Sequence, residues 1–249
     1  MSFSLDSEFA EAGFVCLPPV SSAELTALRD LIKDKYHRVL QPTLVNVPVE
    51  MHATHITRYH EISNYFDHSA VWDKSARLFS AEEVQIFIED FSFLRSLEDL
   101  LGVVEIADIE KIGYPEIYWR IVRPGVADVA PAHKDSWFWS VTNNLSVEAQ
   151  RGLAKIWIPI WSEPNVSGLA VSPGSHKIEI PFGAELRHGR LKPTVDPADL
   201  NQIDFKLLRV LDGGMILFDR ELLHRGFGSD SRLTRISLEF AIRSPAIRY

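Results

Sequence analysis

Residues 154–176 read AKIWIPIWSEPNVSGLAVSPGSH. Two β-rich runs, 154–161 and 168–172, are parted by turn residues, and Pro173-Gly174 demands a tight connection before the chain goes on. Short runs of this texture, repeated, are what a sandwich or barrel looks like in one dimension. Working outward, similar runs occupy 116–123, 133–140, 176–181, 205–211, 214–219 and 234–243, with a short strand around His224. That is enough for a mainly β fold, a double-sheet jelly roll. The longest break, 182–204, holds Gly183, Gly189, Pro193 and Pro197 and reads as an insertion or lid.

Upstream the period changes. Gly13-Phe-Val-Cys-Leu17 is a short apolar run closed by Pro18-Pro19, a first strand that cannot pass the prolines. Ser21 and Glu24 have capping-box spacing, and Leu25, Leu28, Ile32, Tyr36 and Val39 then mark one helical face. Ser80 and Glu83 repeat the spacing before Val84, Phe87, Phe91, Leu94, Leu97 and Leu101, which predicts a single long helix ending at Gly102. Residues 41–60, with Pro42 and Pro48 and no clear period, read as a substrate-covering loop with one short strand. The expected organisation is one domain over 1–249, with a helical support region to about 112 and the jelly roll from about 113.

Composition bounds the class. The chain has 249 residues, 46% apolar and 24% charged, as soluble globular proteins do. A net charge of -8 and a pI near 5.6 argue against a phosphate-tracking nucleic-acid protein. Cys16 is the only cysteine, which excludes an internal disulfide and a multi-cysteine zinc site and fits a reducing compartment. The opening MSFSLDSEFAEAG lacks a secretory pattern, and no apolar run approaches the ~20 residues of a membrane span. The expectation is a cytoplasmic protein, monomeric or homodimeric, with a small-molecule substrate and neither nucleic-acid nor membrane partners.

Pro131-Ala-His-Lys-Asp135 places His133 and Asp135 two apart at the start of an expected strand, so both side chains would share a face. His224 is the third candidate, in Phe218-Asp-Arg-Glu-Leu-Leu-His-Arg-Gly-Phe. Two His and one carboxylate with the opposite positions open suit iron(II) oxygen chemistry. The His-x-Asp pair alone carries little, since nine His and sixteen Asp would give ~0.5 such pairs by chance. Arg235 and Ser237, on one face of the last strand, add a guanidinium and a hydroxyl able to hold a carboxylate. Trp137 and Trp139, by alternation, fall on the ligand side of their expected strand and divide evenly between substrate wall and barrel core. Arg120 and Arg123 face opposite ways on the strand before the motif, so at most one points inward toward an anionic group. His52, His55 and His60 fit no metal spacing and read as surface or lid residues.

The ordered set of His133-x-Asp135, Gly168-Leu-Ala-Val-Ser-Pro-Gly-Ser-His176, His224 and Arg235 resembles the phytanoyl-CoA dioxygenase-like (PhyH) family of non-haem iron(II), 2-oxoglutarate-dependent oxygenases. The resemblance spans about residues 113–243. It implies a double-stranded β-helix buttressed by N-terminal helices, with iron(II) on His133, Asp135 and His224, and 2-oxoglutarate held by Arg235 with Ser237. Trp157 is similar to a tryptophan lining the co-substrate pocket in relatives, and the Pro-Gly-Ser-His turn, with His176, is scaffold or an outer support. The implied reaction couples oxidative decarboxylation of 2-oxoglutarate by O2 to hydroxylation of an unactivated carbon. Asp135 fills the position that related halogenases leave to halide. Two rivals remain: a cupin-like metalloenzyme without 2-oxoglutarate, and a non-catalytic jelly-roll binding protein.

Overall fold

Alternation along residues 235–243 sorts the molecule into two sides. Ile236, Leu238, Phe240 and Ile242 are at most 1% exposed and pack on the N-terminal helices, while Arg235, Ser237, Glu239 and Ala241 face the other way. The computed structural model describes residues 5–125, 128–187, 189–201, 203–228 and 230–247. The first four residues of the opening segment and positions 188 and 202 of the 182–204 break lie outside the described residues.

In chain order the elements are α1 (Leu5–Ala12), β1 (Phe14–Leu17), α2 (Ser22–Leu40), α3 (His68–Val71), α4 (Ala81–Asp90), α5 (Phe93–Leu101), β2 (Glu105–Ile106), β3 (Ile117–Val122), α6 (Asp135–Val141), β4 (Leu153–Trp161), β5 (Gly168–Val171), β6 (Gly183–Arg187), β7 (Arg190–Thr194), α7 (Pro197–Leu200), β8 (Lys206–Leu207), β9 (Met215–Asp219), β10 (His224–Phe227) and β11 (Arg235–Arg243). The major sheet runs β1-β9-β4-β11-β2, with β3 also on β11, and every pairing is antiparallel. A minor sheet, β10-β5-β8, faces it, and β6–β7 forms a separate hairpin. This is the jelly roll that the β-rich texture predicted, with the helical buttress that the family resemblance implied. The N-terminal region does more than buttress it, because β1 and β2 are strands of the major sheet.

Both capping boxes form, at Ser21/Glu24 and Ser80/Glu83. The long helix expected over 80–101 is broken in two. Phe91 is extended, and Glu24 of α2 accepts from Ser92 Oγ (2.9 Å) and the Phe93 N–H (3.1 Å), giving α5 its own N-terminal partner. Phe87, Phe91 and Phe93 close into one aromatic group at the break, Phe87 and Phe93 edge-on and the other two pairs tilted. Residues 41–65 contain no strand. They form four short 3-10 turns; Val47, Ile56 and Tyr59 of the expected loop, and Ile62 beyond it, are buried in the main core, while the first two turns bury no residue.

Two further expectations fail locally. The run 176–181 is not a strand: Gly174 has φ +79, and Ser175–Lys177 makes a 3-10 turn. The run 133–140 is not a strand either, because the chain enters helix α6 at Asp135. The physical reason lies in where its tryptophans go. Trp137 packs with Ile180 and Leu223, and Trp139 with Ile109, Leu153 and Ala241. A helix sends residues i and i+2 about 200° apart, one into each cluster, whereas a strand would crowd both onto one face.

Candidate metal centre

Backbone pairing brings the two histidines together. His133 and His224 exchange both N–H···O bonds (2.9 and 3.0 Å) as an isolated antiparallel bridge at the start of β10, so their side chains share a face. Their ring centroids are 4.3 Å apart. Asp135 follows two residues after His133, held where the helix begins by the Ser136 N–H donating to Arg220 O (3.1 Å). The ligand atoms of His133, Asp135 and His224 all lie within 4.8 Å of one another, the one such group among the described residues.

The surroundings prepare these atoms for a cation. His133 Nδ1 bonds Pro131 O (2.7 Å) and His224 Nδ1 bonds Leu222 O (2.9 Å). A carbonyl can only accept, so each Nδ1 carries the proton and each Nε2 keeps its lone pair. Burial, followed by the charge His224 would carry, lowers the His133 pKa to about 4, which keeps that imidazole neutral. Asp135 Oδ2 lies 4.0 Å from His224 Nε2, buried and without a hydrogen-bond partner. An orphaned carboxylate oxygen beside two imidazole lone pairs fits a divalent ion. Phe138 and Phe218 flank the rings at 5.0 and 4.8 Å.

The inner face of the major sheet continues the site. Arg235 is 5% exposed, and its Nη1 donates to Gly168 O and to Phe227 O (2.7 Å). Its Nε is buried without a partner, and burial lowers its pKa to about 10, with Glu239 as the stabilising acid. Ser237, 1% exposed, shares that face two residues on. Trp157 stands on the same face of β4, packed with Leu169, Val171 and Phe218. Arg120 pairs across from Ser237 and bonds Glu239 Oε1 through Nε (2.8 Å). Its side chain is 43% exposed, so solvent reaches the barrel interior there. Despite its burial, Glu239 is held at about 2 by Arg120 and Lys155.

The other expected residues lie elsewhere. Arg123 faces away and clamps Asp128 (2.7 and 2.9 Å). Trp137 and Trp139 sit on opposite sides of α6, each 4% exposed, so they do not line one wall as the strand reading required. Trp137 stacks on Phe182 (5.1 Å) beside a cavity of about 580 Å³ behind α6, whose lining contains none of the triad. His176 is scaffold: its Nε2 bonds Ala10 O (3.2 Å), and a Cβ at Gly13 (φ +82) would fall 2.5 Å from its Nδ1. His52, His55 and His60 bond Val47 O, Thr57 and Thr234, each in its own place. Missed from sequence were Lys155 and Glu239. The signal was present, since Arg235, Ser237 and Glu239 recur at i, i+2 and i+4 in a strand otherwise apolar up to its terminal Arg243, and Lys155 interrupts one of the most buried strands.

A jelly roll carrying two His, one Asp and an inward arginine defines the class of non-haem iron(II), 2-oxoglutarate-dependent oxygenases. The family model described as phytanoyl-CoA dioxygenase (PhyH) matches residues 9–237, and the chain belongs to that family, whose enzymes use iron(II), 2-oxoglutarate and O2. No curated protein sequence matches the chain at a significant level. Among solved structures, EctD from S. alaskensis, determined with 2-oxoglutarate and 5-hydroxyectoine, is 17% identical (TM-score 0.60, covering 100% of this chain and 78% of that one). The non-heme monooxygenase ThoJ, as its nickel complex, is 13% identical (0.53; 96% and 76%). The alpha-ketoglutarate-dependent carbocyclase SnoK from nogalamycin biosynthesis is 14% identical (0.55; 95% and 81%). At these identities the likeness is one of fold. No helix among the described residues is long and apolar enough to cross a membrane.

Proposed function

We propose that the protein hydroxylates an unactivated carbon of a small molecule, an amino-acid derivative, natural product or acyl compound, using iron(II), 2-oxoglutarate and O2. Residues 1–249 act in this reading as one catalytic unit. The observation that carries it is the convergence of His133 Nε2, Asp135 Oδ2 and His224 Nε2, with the carboxylate oxygen buried and unpartnered.

His133, Asp135 and His224 would hold the iron, which when bound supplies oxygen activation coupled to 2-oxoglutarate decarboxylation. The chain's own groups do the rest. The backbone carbonyls of Pro131 and Leu222 fix both imidazole tautomers. Arg235 takes the distal carboxylate of 2-oxoglutarate through its free Nε side, with Ser237 as a second donor and Trp157 as an apolar wall. Arg120, held by Glu239 and open to solvent, offers a charged contact to a polar substrate. Trp137 and Trp139, which the sequence left open between substrate wall and core, are in this reading packing residues of α6, with Trp137 also lining the cavity beside Phe182.

Succinate formation from 2-oxoglutarate with added iron(II), alone and with fractionated metabolite pools, tests the proposal. Turnover should require iron and vanish in Asp135→Ala and His224→Ala. Near-normal turnover in either variant defeats the site assignment. Iron binding without any 2-oxoglutarate consumption would favour the binding-protein reading.

A further inference from the structure

One charged side chain on the inner face has so far been named only for its charge beside Glu239. Lys155 stands on β4, in register with Ala241 and Phe218 and two residues before Trp157. Its side chain is 14% exposed, and its Nζ lies 4.0 Å from Asp135 Oδ1. The other oxygen of the same carboxylate, Oδ2, is the one that faces His224 Nε2. The two oxygens of Asp135 therefore have different neighbours: an ammonium on one side, an imidazole lone pair on the other.

That asymmetry matters to a carboxylate that is to bind a metal through one atom. A free carboxylate can rotate to offer either oxygen or both. A cation beside Oδ1 favours the rotamer that leaves Oδ2 on the side of the histidines. Ligands of this kind are oriented by outer partners, and loss of such a partner typically weakens metal binding ~10–100-fold. Lysine suits the position because its charge is compact and its three donors rotate, so it can follow the orientation of the carboxylate.

We propose that Lys155 is a positioning residue of the metal centre: by holding Asp135 Oδ1 it presents Oδ2 to the ion shared with His133 and His224. This rests on the triad assigned under Proposed function. Lys155 touches neither the metal nor the substrate in this role and acts through Asp135.

The sign of the effect separates positioning from a simple field. Removing a positive charge near a divalent-cation site should, through charge alone, strengthen cation binding. Removing a residue that orients a ligand should weaken it. The experiment is a chelator-competition titration of Co(II) into the metal-free protein, with the visible Co(II) spectrum recorded, for the parent, Lys155→Met, Lys155→Gln, Lys155→Arg, Asp135→Ala and the Lys155→Met/Asp135→Ala double variant. Circular dichroism and urea melts verify folding, and Lys155→Gln stands in if Lys155→Met does not fold.

Lys155→Met is expected to bind Co(II) ~10–100-fold more weakly with an altered spectrum, and Lys155→Arg to recover most of the affinity. In the Asp135→Ala background the Lys155→Met change should add no further loss, since the two act as one unit. Unchanged or tighter Co(II) binding in Lys155→Met overturns the proposal. So does an equal loss in the Asp135→Ala background. A parent protein that fails to bind Co(II), or an Asp135→Ala protein that binds it normally, overturns the triad itself and is distinguishable from these results.

Discussion

Replacing Arg235 separates two tasks that the structure gives to one side chain. Nη1 bonds the backbone carbonyls of Gly168 and Phe227, while Nε is buried without a partner on the inner face. Burial lowers the guanidinium pKa from 12.5 to about 10, a penalty of about 3 kcal/mol on its charged form. That penalty offsets much of what the two carbonyl bonds contribute, at about 1.5–3 kcal/mol each for a charged donor. Arg235→Met should therefore change the stability of the metal-free protein by no more than about 2–3 kcal/mol. Its effect on 2-oxoglutarate should be far larger. Losing a two-pronged carboxylate contact, at about 1.5–3 kcal/mol per bond, weakens binding ~10²–10⁴-fold. Arg235→Lys keeps the charge but not the fork, so a loss of ~10–100-fold is expected. Anaerobic calorimetric titration of 2-oxoglutarate into the Co(II)-loaded protein reads the affinity, and urea unfolding reads the stability. If folded Arg235→Met binds 2-oxoglutarate within threefold of the parent, Arg235 is not the carboxylate anchor.

Two other perturbations test the packing and the charge state of the centre. Trp139→Ala removes a 4% exposed ring from the cluster with Ile109, Leu153 and Ala241 and should cost about 3–5 kcal/mol in urea unfolding; a stable variant with only a raised substrate KM would mean that Trp139 lines the substrate pocket after all. For His133 the folded pKa lies below the unfolded one, about 4 against 6.5, so the unfolded chain takes up the proton first. The metal-free protein should keep its His133 contribution above pH 6.5 and lose it progressively as pH falls toward 4, whereas His133→Ala should show a flatter urea-midpoint profile over that window. Parallel profiles would contradict the buried neutral imidazole.

How much of this was legible in one dimension depends on the range of the interaction concerned. The strands 154–161, 214–219 and 234–243 were readable because both faces of each are dictated by side chains two apart, and the helix starts at Ser21 and Ser80 because a cap acts over three residues. The family, too, was visible in ordered motifs. By contrast, the break between α4 and α5 depends on Glu24, which belongs to α2, and no local pattern contains it. Helix α6 was hidden for a related reason. Ser136-Trp-Phe-Trp139 has the composition of a strand, and only the two apolar clusters on either side of it, built from β4, β11 and the 176–205 segment, make a helix the better burial.

The site divides the same way. The sequence by itself determined which residue types could bind a metal and a carboxylate: His133, Asp135, His224 and Arg235 carry the donors, and their identity is a matter of chemistry. What only the tertiary structure decided is their mutual geometry. The His133–His224 bridge joins segments far apart in the chain, the rotation of Asp135 sets one oxygen toward His224 and the other toward Lys155, and the charged row of Arg120, Glu239 and Lys155 exists only once β3, β4 and β11 lie side by side. Hydrogen-bond register and burial are properties of the assembled sheet, so no single segment encodes them.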